Sequence, residues 1–231
     1  MRESKGKSRA GARLKNAGPP AFGGEERSAE IFSVLKSLYS GTGTALNFKT
    51  PFELLVAAIL SAQCTDSQVN RITARLFNKY NTPGAFAALS PEELEEEIKG
   101  CGLYRNKSRY IVEASREILK RHGGCVPGTR EELEALPGVG RKTAGVVLGV
   151  AYGGDDLPVD THVFRVARRL GLSSATDPVK VERDLTGCIP PKQRMAAHHY
   201  LIAHGRQVCK ARKPSCGSCA LGGLCPYPAK E

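Results

Sequence analysis

The stretch that most restricts this chain is Leu136-Pro137-Gly138-Val139-Gly140-Arg141-Lys142-Thr143-Ala144, followed by Pro158-Val159-Asp160-Thr161-His162-Val163. Pro137 and Gly138 end one helix and Gly140 opens the turn into the next, so the segment predicts a helix, a tight hairpin and a second helix. Gly138 and Gly140 have no side chain to hold an anion away from their backbone N–H groups. The second helix aims its unpaired N-terminal donors and the positive end of its dipole at the same place. A phosphate of a nucleic-acid backbone suits such a site. Lys142 falls in the first turn of that helix, where the dipole disfavours a cation, so local structure gives it no purpose. Asp160 precedes the periodic run Val163, Val166, Ala167, Leu170 and reads as a helix N-cap. Taken alone, the Leu136–Gly140 hairpin serves equally well as a non-catalytic DNA-binding module or as a turn between two core helices.

The rest of the chain predicts helices and no strand. Ile31, Val34, Leu35 and Leu38 fall at helical spacing. Thr50-Pro51-Phe52-Glu53, Ser90-Pro91-Glu92-Glu93 and Thr129-Arg130-Glu131-Glu132 have the form of capping boxes. The first opens Leu54–Leu60, apolar all round and therefore expected at the centre of the core. Val69, Ile72 and Leu76 share a face of the helix after it. A long helix over 107–122 should turn Ile111, Val112, Ser115, Ile118 and Leu119 inward, and Gly100, Gly123 and Gly171 read as helix stops. The glutamates at 92, 93 and 95–97 form a solvated face. No apolar run approaches the ~20 residues of a membrane span. The fold class expected is all-α.

The formal net charge is +11, which favours a polyanionic partner. Residues 1–24, rich in Lys, Arg, Ser, Gly and Pro, predict a disordered basic tail. It shows neither the amphipathic face of a transit peptide nor the apolar stretch of a secretory signal. Without such a signal, Cys64, Cys101, Cys125 and Cys188 read as scattered reduced thiols. Cys209, Cys216, Cys219 and Cys225 differ: they form C-x6-C-x2-C-x5-C, a density of thiolates that suits a metal centre. Zinc more usually takes two C-x-x-C pairs, and only 216–219 qualifies. Between the first two ligands, Lys210, Arg212 and Lys213 would sit on a loop pinned at both ends, a clamp for phosphate.

The hairpin with Pro158–Val163, the run Leu60–Asn70 (LSAQCTDSQVN), Gly100–Lys107 (GCGLYRNK) and the terminal cysteines together closely resemble the endonuclease III family of helix-hairpin-helix DNA glycosylases. The resemblance runs from about residue 26 to the end. It implies two helical domains with a DNA cleft between them: a six-helix barrel over 44–154 that ends in the hairpin, and a discontinuous domain of 25–43 with 155–231. The second carries a [4Fe–4S] cluster on Cys209, Cys216, Cys219 and Cys225, ranked ahead of zinc and of a disulfide pair. The implied activity is that of a bifunctional DNA glycosylase and AP lyase of base excision repair. Its substrate is double-stranded DNA with damaged bases, above all oxidised pyrimidines, or with abasic sites. Lys142 is then the nucleophile that expels the base and forms a Schiff base, from which β-elimination cuts the strand. Asp160 stabilises the cationic sugar and helps with the proton.

Flipping a base leaves a hole. By the resemblance Gln63 fills it, while Leu103 wedges between bases of the opposite strand. Further DNA contacts are expected from Arg105, Lys107, Gly138, Gly140, Arg141 and His162, the last alternatively a pocket-lining or capping histidine. A monomer with no membrane partner, in the cytoplasm with the nucleoid of a prokaryote, completes the expectation. Two other readings stay open. Adenine-mismatch glycosylases share the cluster and the aspartate, but they normally lack a lysine at position 142 and usually continue into a further C-terminal domain. An idle helix-hairpin-helix protein would bind DNA and do nothing to it.

Overall fold

A computed structural model describes residues 24–227, so all of the expected basic tail but Gly24 lies outside the described residues. Among the described residues there are eleven α-helices, three short 3-10 turns and no strand. The chain runs α1 (Glu25–Tyr39), α2 (Pro51–Ser61), α3 (Asp66–Lys79), α4 (Pro83–Ala87), α5 (Pro91–Ile98), α6 (Tyr104–His122), α7 (Arg130–Glu134) and α8 (Arg141–Ala151). Then follow α9 (Thr161–Arg169), α10 (Pro178–Cys188) and α11 (Arg194–Gln207), and the four clustered cysteines lie beyond them. No helix among the described residues is long and apolar enough to cross a membrane.

Helix starts follow side-chain chemistry. Thr50, Thr65, Thr82, Ser90 and Thr129 each accept a hydrogen bond from the backbone N–H three residues on. Of the three predicted capping boxes, only Ser90 with Glu93 closes in both directions. Glu53 reaches one residue further back, to the Lys49 N–H at 2.5 Å, and Glu132 takes the Thr129 hydroxyl at 2.6 Å. Gly100, Gly123 and Gly171 adopt left-handed backbone and stop their helices. The long helix α6 begins three residues earlier than predicted, and Leu119 is exposed: Ile118 takes the inward position of that turn and leaves its neighbour at the edge of the apolar face.

The buried apolar residues form two cores. The first is built round α2, whose Phe52–Leu60 are all buried, with side chains from α3 through α8. The second joins Ile31, Leu35 and Tyr39 of α1 to Leu157 and the inward faces of α9, α10 and α11. The hairpin seals the first core through buried Leu136 and Val139, with the Val139 N–H bonded to the Leu136 carbonyl at 3.1 Å. Gly138 has φ +76°, and a Cβ there would stand 2.6 Å from Cβ of Tyr110 on α6, so no other residue fits against that helix. Ion pairs bridge the cores, among them Asp66 of α3 with Arg206 of α11 and Arg141 of α8 with Glu182 of α10, each at 2.8 Å.

Candidate active site

A pocket opens between the two cores. The end of α2, Asp66, and Lys142 with Val146 of α8 form one wall; Asp160, with His198, His199 and Arg206 of α11, forms the other. Lys142 stands in the first turn of α8 with its side chain 52% exposed, and its Nζ lies 3.9 Å from Oδ2 of Asp160, whose side chain is 11% exposed. The two carboxylate oxygens of Asp160 have different work. Oδ1 accepts from the N–H groups of His162 and Val163, both at 2.8 Å, and so caps α9. Oδ2 is left facing the lysine. The N-cap reading therefore holds, and the same side chain keeps one oxygen within 3.9 Å of Lys142.

Two packing features bring Asp160 to Lys142. Gly145 lies one turn after the lysine, and a Cβ there would come within 3.0 Å of Pro158 Cγ; its absence lets the 156–158 segment lie on α8. From the other side, Nδ1 of His198 is 2.7 Å from the Pro158 carbonyl. A carbonyl only accepts, so Nδ1 carries the proton and Nε2 is left as an acceptor. Burial pushes the His198 pKa down to about 4, with His199 and Lys142 acting the same way and Asp160 opposing, so the ring is neutral at physiological pH. His198, His199, Asp66 and Arg206 carry no local sequence signal, and the sequence reading missed all four.

Gln63 and Leu103 stand on adjoining loops. Both are exposed, Leu103 by 53%, and both have left-handed backbone, at φ 53° and 59°. Leu103 is therefore no core leucine. The loops touch closely, since a Cβ on Gly102 would lie 2.9 Å from the Gln63 carbonyl oxygen. Arg105 is exposed, with its guanidinium over the Tyr104 ring. Gly138 and Gly140 are exposed, and among the described residues their amides donate to no other backbone group.

One expected DNA contact needs correction, and two others are engaged within the protein. Lys107 is only 3% exposed and gives its Nζ to the carbonyls of Leu60 and Ala62, so a phosphate has no access to it. Arg141 is exposed, but its guanidinium fork is engaged by both carboxylate oxygens of Glu182 at 2.8 Å, which also raises its pKa. His162 does not line the pocket. Its Nδ1 takes a hydrogen bond from Arg165 at 3.1 Å, its Cβ would stand 3.2 Å from a Cβ on Gly205, and burial lowers its pKa.

Cys209, Cys216, Cys219 and Cys225, all free thiols, line one cavity of about 260 Å3 together with Arg169 and His204. Among the described residues no group of three or more His, Cys, Asp or Glu is gathered closely enough to hold a single metal ion. Zinc would need all four sulfurs within ~2.3 Å of one point. Thiols ringing a larger space suit a multi-iron cluster. Arg169 braces the loop by donating to the carbonyls of Lys210 at 2.7 Å and Ala211 at 3.1 Å, and Arg165 holds the Cys209 carbonyl at 3.1 Å. Lys210, Arg212 and Lys213 project from it into solvent.

The sequence profile of the HhH-GPD superfamily base excision DNA repair proteins matches residues 56–191. Endonuclease III of Synechocystis sp. is 49% identical over 203 residues, 87% of this chain and 93% of the relative. That of Escherichia coli K12 is 46% identical over 201 residues, 87% of this chain and 95% of the relative. A solved structure of a trapped endonuclease III–DNA covalent intermediate matches with a TM-score of 0.85 at 44% identity, covering 88% of this chain and 96% of the other. A thermostable thymine-DNA glycosylase shares the fold, with a TM-score of 0.79 at 23% identity over 87% of this chain and 96% of the other. On the breadth of these matches, the chain belongs to the HhH-GPD superfamily of base excision DNA repair proteins, among the endonuclease III enzymes.

Proposed function

We propose that Lys142 is the nucleophile and Asp160 the charge-stabilising carboxylate of this DNA glycosylase and AP lyase. The observation that carries the reading is the approach of Lys142 Nζ to Asp160 Oδ2, 3.9 Å, in a pocket beside a hairpin with exposed amides. Those amides and the N-terminus of α8 grip the backbone of the damaged strand and present the flipped nucleotide to the pocket. The Lys142 amine, free of its proton, forms a bond to the anomeric carbon while the glycosidic bond breaks and the base leaves with the electron pair. Positive charge then grows on the sugar, and Asp160 Oδ2 faces it; neutral His198 adds no opposing charge. Ring opening gives an imine to Lys142. Loss of the adjacent C2′ proton then expels the 3′ phosphate, and water hydrolyses the imine to free the lysine. The covalent endonuclease III–DNA intermediate trapped in the related structure supports a covalent route of this kind.

Damaged pyrimidines and abasic sites in duplex DNA are the substrates of this reading. Gln63 and Leu103 enter the stack, and Arg105 lies nearby. The two cores act as two domains divided near Gly154, in a monomer that works in the cytoplasm with the nucleoid. Borohydride reduction with an abasic duplex tests the chemistry. An adduct at Lys142 is expected, and binding without adduct or product over several substrates overturns it.

The four cysteines would hold a [4Fe–4S] cluster, whose ring of thiols fits the cavity of about 260 Å3. When bound, the cluster is a structural clamp and supplies nothing to the reacting lysine. Protein purified without oxygen should be yellow-brown with about four iron and four sulfide per chain. Zinc in place of iron would show the assignment wrong. Cys219→Ser should lower the cooperativity of unfolding as well as DNA affinity, because metal ligation is part of the region's folding energy. Lys210, Arg212 and Lys213 serve as phosphate contacts. Neutralising each should weaken binding to damaged and undamaged duplexes alike, and reduce the slope of log K against log salt by about one per contact. A triple variant with the original salt dependence would remove the loop from the interface.

A further inference from the structure

Lys107 is the buried cation that the reaction above does not use. It lies in the second turn of α6, 3% exposed, and an ammonium has three protons to place. All three find partners: the Leu60 carbonyl at 2.8 Å, the Ala62 carbonyl at 2.5 Å and Sγ of Cys101 at 3.2 Å. The carbonyls belong to the C-terminus of α2, where a helix leaves acceptors unpaired and its dipole is negative. Cys101 in turn gives its own proton to the Leu60 carbonyl at 3.2 Å.

The position of these partners matters more than their number. Ala62 immediately precedes Gln63, and Cys101 is separated from Leu103 only by Gly102. Gly102 lies against the Gln63 carbonyl, where a Cβ would be 2.9 Å away, and Gln68 donates to the Gly100 carbonyl at 3.4 Å. Gln63 and Leu103 are two of only three non-glycine residues with positive φ among the described residues. Such backbone is held at a cost and persists where its surroundings over-determine it. A fully bonded ammonium behind both loops is that over-determination.

We infer that Lys107 is a positioning residue that locks Gln63 and Leu103 into one preformed wedge, so that both side chains enter the duplex together as the damaged nucleotide leaves it. The inference rests on the proposed insertion roles of those two residues. A wedge built in advance does not have to be ordered at the moment of flipping. Lys107 acts through these loops and touches neither the DNA nor the reacting atoms. Its loss therefore slows the opening of stacked DNA and spares the chemistry of the lysine.

The test compares each variant on a lesion in duplex DNA with its cleavage of an abasic site in single-stranded DNA, which has no stack to open. A 2-aminopurine beside the lesion reports unstacking by its fluorescence. Lys107→Met keeps the length of the side chain and removes the donors. It should lower duplex kcat/KM by about tenfold or more while single-strand cleavage stays within about twofold, and it should slow the fluorescence rise. Gly102→Ala leaves Lys107 in place but forces the loops apart, and it should show the same split, which keeps the test alive if Lys107→Met does not fold. Equal loss on both substrates, or wild-type fluorescence kinetics, would reduce Lys107 to an ordinary core support. Gln63→Ala and Leu103→Ala are the controls. If neither changes the duplex-to-single-strand ratio, the insertion reading itself fails and this inference goes with it. If both do and Lys107→Met and Gly102→Ala do not, only the inference fails.

Discussion

Reduced with borohydride while acting on a duplex that carries an abasic site, the protein should become covalently joined to DNA, with the join at Lys142 on peptide mapping. Lys142→Ala should lose base release and strand cleavage together, by at least about a thousandfold, because a single amine makes the bond on which both depend. Lesion affinity should stay near that of the unaltered protein. The side chain is half exposed and supports no core, and a cation in the first turn of α8 works against the helix dipole. The thermal midpoint of Lys142→Ala should therefore be unchanged or slightly higher. Lys142→Arg should be as inactive as the alanine variant, since a guanidinium stays protonated and forms no imine. Excision that continued in Lys142→Ala without strand cleavage would make water the nucleophile, as in the adenine-type enzymes.

How far the sequence could be read depended on how local each feature is. The hairpin, the capping side chains and the glycine stops were legible because interactions within four residues decide them. The partition of Asp160 into a capping Oδ1 and a free Oδ2 was half legible. The cap follows from the residues after it, whereas the approach to Lys142 depends on Gly145 meeting Pro158 and on His198, 38 residues further along. The pairing of Arg141 with Glu182 was not legible, because the partner lies 41 residues away and nothing near the hairpin announces it.

Lys107 was misread despite an available signal. With Ile111, Ser115 and Ile118 it falls at the spacing of one helix face, and all four are buried. A lysine on an apolar face asks for buried acceptors, and the end of α2 supplies them. The cysteine spacing showed that four thiols come together. That they surround a cavity, and do not converge on one point, needed the fold.

Asp160→Asn should fold normally, bind damaged duplex with near-normal affinity, and turn over about a hundred to a thousand times more slowly. The argument rests on the two oxygens having separate partners. Asparagine is as good an N-cap as aspartate, and the N–H groups of His162 and Val163, each 2.8 Å from Oδ1, admit only an acceptor at that position. The amide must then turn its NH2 toward Lys142, where Oδ2 stood at 3.9 Å. A group that faced growing positive charge as an anion now faces it as a donor, and stabilisation of the sugar cation is lost. Asp160→Ala removes both functions. It should be as slow as the asparagine variant and in addition less stable by about 1 kcal/mol, the usual cost of a lost cap. Single-turnover excision and denaturant melts of the two variants separate the roles. Asp160→Asn with full activity would leave the residue only its cap. Equal destabilisation of the two variants would mean that Oδ1 is not what holds α9.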